Sequence, residues 1–270
     1  MSEIKLIAID IDGTLLNEEN ILAQETIDAV TEARNNGIKV VLCTGRPLTG
    51  VKPYLKKLNI SGNNEYAITF NGAQVQDADA NIIEKFDLDY NDFVGLEKLS
   101  HKLNTNFQIE TTDYIYTTNR DISPYSVAES YLVRMPIRVR EPQEITDETE
   151  IVKAMLIADP NIIDKAISNI PESFLDHLTM VRSEPVFIEF VNQKASKGAA
   201  LSKLATRLGF TAENVMAIGD QGNDISMVTY AGTGVAMGNA ADDLKKVANK
   251  ITKTNKENGV AYAIRNFALK

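Results

Sequence analysis

The chain has 270 residues, of which 44% are hydrophobic, a length that suits one large α/β domain or two domains. Its net charge is −9 and it contains no run of Lys or Arg, which argues against a nucleic-acid or anionic-membrane partner. The only cysteine, Cys43, cannot form an intrachain disulfide. Because the sequence also lacks a signal-like start and a long apolar run, we expect a soluble cytoplasmic protein.

The first elements are predicted from buried apolar runs. Residues 4–10, IKLIAID, predict a strand, and QETIDAVTEARNNG predicts a helix that Gly37 ends. The next run, IKVVLCTG, predicts a second buried strand. Strand, helix and strand in this order form a βαβ unit, so we expect a parallel sheet with helices on its faces.

The middle of the chain has a different pattern. Strand-like runs at 106–110 and 113–117 lie too close together for a helical crossover, so we expect them to pair as an antiparallel hairpin. Helices are predicted near 91–103, 124–133 and 161–170. We therefore predict an inserted α+β domain at 84–191, within a discontinuous core domain formed by 1–83 and 192–270.

The last third returns to the first pattern. SKGAALSKLATRLG predicts a helix with Ser196 as its N-cap and Gly209 past its end. NVMAIGD predicts a strand, and NDISMVTYAG predicts another helix. Both ends of the chain therefore belong to one α/β domain in this interpretation.

Four loops of the predicted parallel domain carry unusual residues. They are DIDGT at 10–14, TGR at 44–46, FNGA at 70–73 and GDQGND at 219–224. Ligands of open parallel sheets bind at the carboxyl ends of the strands, so these loops are expected to converge on one rim.

The acidic residues in these loops predict a metal site. Alternation along a strand would turn Asp10 and Asp12 to the same side, and two such close carboxylates repel each other unless a cation lies between them. With Asp220, and with Asp224 one turn along, they would form the all-oxygen cluster that suits Mg²⁺.

Other residues of the rim suit a phosphoryl group. Thr44 and Gly45 precede Pro47, so their backbone N–H groups and the threonine hydroxyl are expected at a helix N-terminus, a natural anion site. Lys197 would add a point charge for a phosphate oxygen. Neither a P-loop nor a dinucleotide-binding motif occurs in the sequence.

The predicted nucleophile is a carboxylate. His101 and His177 lie in the inserted module and Cys43 lies within a strand, which leaves the aspartates of the rim. One of them could form an aspartyl-phosphate, and a second could protonate the leaving group and then activate water.

These motifs resemble those of a known family. DIDGTLL at 10–16, TGR at 44–46, NGA at 71–73, SKGAAL at 196–201 and GDQGND at 219–224 are similar to motifs of the haloacid dehalogenase (HAD) superfamily of phosphatases. The likeness extends to its Cof-type branch, particularly the YidA-type sugar phosphatases, and covers the whole chain. It implies a Rossmann-like parallel-sheet core, the HAD fold, with an inserted α+β cap domain of the C2B type that closes over the substrate and sets specificity.

The resemblance also implies roles for individual residues. Asp10 would be the nucleophile and a Mg²⁺ ligand, Asp12 the general acid/base that also gives its backbone carbonyl to the metal, and Asp220 the residue that completes the metal site. Phosphate contacts are implied for the backbone of Ile11 and for Thr44, Gly45, Lys197 and Asn223. Further candidates, for contacts to the substrate or to the ligating residues, are Arg46, Asn71 and Asp224.

Together these features predict a Mg²⁺-dependent phosphatase of small phosphorylated metabolites, with sugar phosphates as the expected substrates. The partner would be that metabolite, with neither nucleic acid nor membrane involved, and the protein would be a monomer or a small homo-oligomer. A phosphomutase of the same fold would need the same two aspartates. A non-catalytic sugar-phosphate sensor is the other alternative, although a binder does not need the nucleophile.

Overall fold

The structure is a computed structural model that describes residues 3–269. Within these residues the strands are β1 (Leu6–Ile9), β2 (Lys39–Cys43), β3 (Tyr66–Thr69), β4 (Gln74–Asp77), β5 (Ile82–Lys85), β6 (Asn106–Glu110), β7 (Ile115–Thr117), β8 (Ile137–Val139), β9 (Lys153–Ile157), β10 (Leu178–Glu184), β11 (Phe187–Asn192), β12 (Val215–Gly219), β13 (Thr233–Ala236) and β14 (Lys250–Ile251). The α-helices are α1 (Gln24–Asn35), α2 (Leu48–Lys57), α3 (Tyr90–Leu103), α4 (Pro124–Val133), α5 (Pro160–Ile167), α6 (Glu172–Leu175), α7 (Lys197–Arg207), α8 (Ile225–Tyr230), α9 (Asp242–Val247) and α10 (Gly259–Ala263).

The chain forms two compact units. The core unit comprises the chain up to Lys85 and from Ala195 onward, and the inserted unit comprises Phe86–Lys194. Every helix between residues 3 and 269 is too short or too polar to cross a lipid bilayer.

The core unit is built on one eight-stranded sheet with the order β14-β13-β12-β1-β2-β3-β4-β5. The strands from β14 to β3 pair in parallel, which confirms the α/β class predicted from the βαβ pattern. At one edge, β4 and β5 are antiparallel. These two strands were not predicted from the sequence, because QVQD and IIEK lack the apolar run that identified the others.

Strand β1 lies at the centre of this sheet. Its four residues, LIAI, are fully buried, as expected for a parallel strand covered on both faces. Ile9 is paired with Ile218 of β12 on one side and with Leu42 of β2 on the other. The chain order runs outward in opposite directions from β1 and β12, so the gap between their carboxyl ends is the topological switch point where ligands bind in such sheets.

The inserted unit contains a six-stranded sheet with the order β10-β11-β9-β6-β7-β8. The predicted hairpin is confirmed, since β6 and β7 pair antiparallel with Glu110 opposite Ile115. One face of this sheet buries Phe107 and Ile109 in an apolar cluster that also contains Phe93 of α3. The arrangement is α+β, as the alternation of short strands and helices predicts.

Candidate active site

Asp10 lies directly after β1, at the switch point of the core sheet. Its backbone N–H donates to the carbonyl of Ile218 (3.0 Å), and its carbonyl accepts from Leu15 N–H (3.1 Å). The side chain is buried, and Oδ1 lies 2.6 Å from the ammonium of Lys197. The sheet therefore fixes the backbone of Asp10 while a buried cation fixes its carboxylate.

The chain after Asp10 forms a tight turn, Ile11–Leu15, in which Asp12 and Gly13 have non-helical dihedral angles. Gly13 has a φ of +77°, and a Cβ at this position would overlap the Asp220 carboxylate, so only glycine fits. The hydroxyl of Thr14 donates to Asp220 Oδ1 (2.8 Å). Gly13 and Thr14 of the DIDGT motif therefore let the first loop pack against the fourth loop and form a hydrogen bond with it.

Lys197 is the first residue of α7, a helix that Ser196 caps by accepting a hydrogen bond from Ala199 N–H (3.1 Å). Its side chain is fully buried, and its ammonium lies 2.6 Å from Asp10 Oδ1 and 2.6 Å from Asp224 Oδ1. Burial alone would lower the pKa of Lys197, but the two carboxylates outweigh it and raise the pKa. The predicted N-cap and helix start are both confirmed.

Three carboxylates converge beside this lysine. Asp10, Asp220 and Asp224 are all buried, and each offers an oxygen within 4.8 Å of the others. Burial raises the pKa of Asp10 well above its usual range, repulsion by Asp224 adds to the rise, and Lys197 opposes it. Burial also raises the pKa of Asp220. Three carboxylates thus face one ammonium, so the cluster carries excess negative charge whenever all three are ionised.

A divalent cation would suit this excess of charge. The donor set consists of hard oxygen atoms, the ligands that Mg²⁺ takes in proteins, and lies at the carboxyl ends of adjacent strands. The Oδ2 atom of Asp224 already accepts from the N–H groups of Asp220 (2.9 Å) and Gln221 (3.0 Å), and its Oδ1 faces Lys197. Among residues 3–269 Asp224 thus makes three such contacts, whereas Asp220 makes two, from Thr14 and from Gln221 Nε2 (3.1 Å), and Asp10 makes one, to Lys197. Asp10 and Asp220 therefore have more capacity left to bind a metal.

Asp12 does not lie as strand alternation predicts. The strand ends at Ile9, and Asp12 sits in the turn, with φ −81° and ψ 121°. Its carboxylate is about half-exposed and pairs with Arg46, at 2.5 Å to Nη2 and 2.9 Å to Nε. The side chain is therefore outside the three-carboxylate group, and the argument from strand alternation was wrong, because the strand ends before Asp10 and Asp12.

The TGR loop follows β2, and part of its backbone is hydrogen-bonded to the neighbouring strand β3. Thr44 N–H donates to the carbonyl of Ile68 (2.9 Å), which extends the pairing of β2 with β3. The prediction that this N–H faces an anion site was therefore wrong. The side-chain hydroxyl of Thr44 is buried and accepts from Arg46 N–H (3.2 Å). The N–H groups of Ile11 and Gly45 have no hydrogen-bond partner among residues 3–269.

The third and fourth loops meet through two asparagines. Asn223 Nδ2 donates to Asn71 Oδ1 (3.0 Å), and Asn71 N–H donates to the Thr44 carbonyl (3.0 Å). A Cβ at the following residue, Gly72, with φ +95°, would overlap the backbone of Ser196. All four loops identified in the sequence are thus brought to one rim of the core unit, as their position after parallel strands predicts.

Two contacts near the site were not predicted from the sequence. Asn239 Nδ2 donates to the carbonyl of Gly13 (2.9 Å), and Asn255 Nδ2 donates to the carbonyl of Leu16 (2.9 Å). Both asparagines hold the turn that follows Asp10. For Asn239 the local signal was its position directly after a glycine in GVAMGNA, but this pattern is also typical of ordinary turns.

The cysteine and the two histidines, to which the sequence assigned no catalytic role, lie outside the group of carboxylates around Lys197. Cys43 is buried in β2, and burial raises the pKa of its thiol. In the inserted unit, His101 pairs with Glu97 (2.9 Å) and His177 with Asp92 (2.6 Å).

Comparison with known proteins extends the likeness seen in the motifs. Residues 7–264 match the family model described as haloacid dehalogenase-like hydrolase. YxeH of Bacillus subtilis is 43% identical over 266 residues, which cover 98% of this chain and 98% of that protein. The 5-amino-6-(5-phospho-D-ribitylamino)uracil phosphatase YcsE of the same organism is 37% identical over 267 residues, covering 99% of this chain and 97% of that protein.

A solved structure has the same architecture. The crystal structure of a haloacid dehalogenase-like hydrolase from Bacteroides thetaiotaomicron superimposes with a TM-score of 0.87 at 32% identity. The match covers 97% of this chain and 99% of that chain, so it includes both units.

Proposed function

Because this chain belongs to the haloacid dehalogenase-like hydrolase family and is a phosphoric monoester hydrolase, we propose that it is a Mg²⁺-dependent phosphatase that works through an aspartyl-phosphate. Its substrates are small phosphorylated metabolites, and we propose sugar phosphates as the class. The observation that carries the proposal is the buried group of Asp10, Asp220 and Asp224 around Lys197 at the switch point of the sheet.

The residues that would hold Mg²⁺ are Asp10 and Asp220 through their carboxylates, with the backbone carbonyl of Asp12. When bound, the metal supplies positive charge against the oxygens of the phosphoryl group. Asp224 supports this site indirectly, since it orients Lys197 and accepts from two backbone N–H groups.

In the first half-reaction, a carboxylate oxygen of Asp10 attacks phosphorus as the bond from phosphorus to the leaving oxygen breaks. The electron pair of that bond goes to the leaving oxygen, which takes a proton from Asp12. Lys197 keeps the Asp10 carboxylate fixed in a nearly dry environment, so little reorganisation is needed as charge moves onto the phosphoryl oxygens.

In the second half-reaction, Asp12 takes a proton from water, and the water oxygen bonds to phosphorus while the bond to Asp10 breaks. The electron pair returns to the Asp10 carboxylate, and phosphate leaves. The exposed position of Asp12 supports this role, because a residue that serves both a leaving group and water needs access to each.

Two observations support the substrate class. The relative YcsE, 37% identical, is named for a substrate with a phosphorylated ribityl chain, a sugar-derived group. The cluster of charges suits one compact phosphate, whereas a net charge of −9 offers little to an extended polyanion. We also propose the cytoplasm as the compartment, supported by the single buried cysteine.

The test is phosphate release from a panel of sugar phosphates, with Mg²⁺ or with EDTA. We expect release by the wild type with Mg²⁺, and a loss of at least about a thousandfold in Asp10→Asn, because an amide is not a nucleophile here. Asp28→Asn, which changes an exposed aspartate on α1, is the matched control and should keep full activity.

Other outcomes would replace the proposal. Transfer of phosphate between substrate positions without release would indicate a phosphomutase. Binding of a panel member without any turnover would indicate a sensor. Undiminished release by Asp10→Asn or in EDTA would contradict the nucleophile or the metal, respectively.

A further inference from the structure

Asp12 and Arg46 form a bidentate ion pair. Two atoms of the guanidinium reach both oxygens of the carboxylate, Nη2 to Oδ1 at 2.5 Å and Nε to Oδ2 at 2.9 Å. Two parallel bonds define the orientation of the carboxylate plane as well as its distance, which one lysine contact cannot do.

Arg46 is itself held in place, unlike a typical surface arginine. Its side chain is 13% exposed, against 53% for that of Asp12. The guanidinium lies 5.6 Å from the centre of the Tyr54 ring, and its Nη1 lies 3.4 Å from the Tyr54 hydroxyl. Its backbone N–H donates to Thr44 Oγ1 and its carbonyl accepts from Phe70 N–H. The fixed partner is therefore Arg46, and the partner being held is Asp12.

The two catalytic candidates thus have separate cations. Lys197 contacts Asp10 and Asp224, whereas Arg46 contacts Asp12 alone among the acidic residues between 3 and 269. Asp12 lies in a turn between Ile11 and a glycine with positive φ, and its exposed side chain makes no other hydrogen bond within those residues. Without Arg46, nothing in the described part of the core unit would select one orientation of this carboxylate.

We propose that Arg46, backed by Tyr54, is a positioning residue that sets the orientation from which Asp12 exchanges protons with the leaving group and with water. The inference rests on the proposed phosphatase function. Arg46 does not need to touch the substrate for this role, because it acts through the side chain of Asp12.

The experiment is a double-mutant cycle measured with p-nitrophenyl phosphate and Mg²⁺. Its leaving group departs without a proton, so Asp12→Asn should still form the aspartyl-phosphate, and its residual kcat measures the slow attack of water without the base. We expect kcat of Arg46→Ala to fall by about tenfold to a hundredfold with KM nearly unchanged. In the Asp12→Asn background, Arg46→Ala should change kcat by no more than about twofold, because its only route of action is gone.

Further variants keep the test decisive. Arg46→Lys keeps the positive charge but cannot make the bidentate contact, so its kcat should be closer to that of Arg46→Ala than to that of the wild type. Tyr54→Phe, which keeps the aromatic ring, replaces Arg46→Ala in the test if Arg46→Ala does not unfold cooperatively. It should lower kcat less than Arg46→Ala does, and should have no effect on kcat in the Asp12→Asn background. Arg207→Ala, an exposed arginine of α7, is the control for arginine removal.

The outcomes separate this inference from the function on which it rests. Losses that multiply in the double variant, or a raised KM with unchanged kcat, would overturn the positioning role while leaving the phosphatase intact. A wild type that releases no phosphate from this ester or from the sugar-phosphate panel would overturn the phosphatase, and the inference with it.

Discussion

Lys197 serves both folding and chemistry at a single position. Its ammonium is surrounded by Asp10 and Asp224 at 2.6 Å each, in a site with almost no exposure to water. A buried charge of this kind is tolerated only when it is paired, and removing one partner leaves the others uncompensated. The residue that aligns the nucleophile is therefore also one on which local stability depends.

Replacement of this lysine should affect activity and stability together. We expect Lys197→Met to lower kcat by at least about a hundredfold, since the Asp10 carboxylate loses its fixed partner. It should also lower the free energy of unfolding by about 3 kcal/mol or more, because two buried carboxylates become unpaired. Phosphate release and urea unfolding are the measurements.

Lys203→Met on the same helix is the matched control, as the side chain of Lys203 is about half-exposed. A Lys197→Met protein that keeps wild-type turnover would exclude this lysine from the reaction. A variant that loses turnover but keeps full stability would show that the pairing of Lys197 matters to chemistry alone.

At the scale of elements, the inserted unit contains a second buried charge cluster between strands and a helix. Lys153 of β9 lies 3.2 Å from Glu110 of β6, 3.3 Å from Glu189 of β11 and 3.8 Å from Glu129 of α4. All four side chains are buried. The pKa of Glu110 is raised to about 7, mainly because the side chain is buried; Glu129 and Glu189 add to the rise and Lys153 opposes it.

This shift predicts a dependence of stability on pH. A glutamate whose folded-state pKa lies above the unfolded value contributes stability that is present below about pH 4.5 and is lost as the pH rises through 7. The loss is at most about 3 kcal/mol. The raised pKa of Lys153 acts only above about pH 10, outside this window.

Glu110→Gln removes the titrating group and should flatten this dependence. Between pH 5 and 8, about the range of the shift, the unfolding midpoint should fall less in Glu110→Gln than in the wild type. Glu148→Gln, which changes an exposed glutamate, is the control. Parallel curves for the wild type and Glu110→Gln would contradict the account of this cluster.

At the scale of the whole molecule, much of the core unit was predictable because its signals are local. The apolar run of β1 specified a buried parallel strand, and Ser196 with Gly209 marked the ends of a helix. Once those strands are parallel, topology alone brings the loops after β1 and β12 together. The convergence of Asp10, Asp220 and Lys197 follows from that argument.

What the sequence did not reveal depends on backbone detail. Asp12 turns to Arg46 because the strand ends at Ile9 and a tight turn begins, a change that alternation along a strand does not describe. The N–H of Thr44 is used by a neighbouring strand, which spacing does not show. The full burial of Asp224 likewise depends on tertiary packing, which the sequence does not show.

The central claim is that Asp10 accepts the phosphoryl group. The most direct measurement is mass spectrometry of Asp12→Asn, quenched in acid during turnover of p-nitrophenyl phosphate with Mg²⁺. Because this variant lacks the base that activates water, we expect a phosphate adduct to accumulate on Asp10 and to be absent from Asp10→Asn. Turnover without any adduct on Asp10, or an adduct on another residue, would contradict the account.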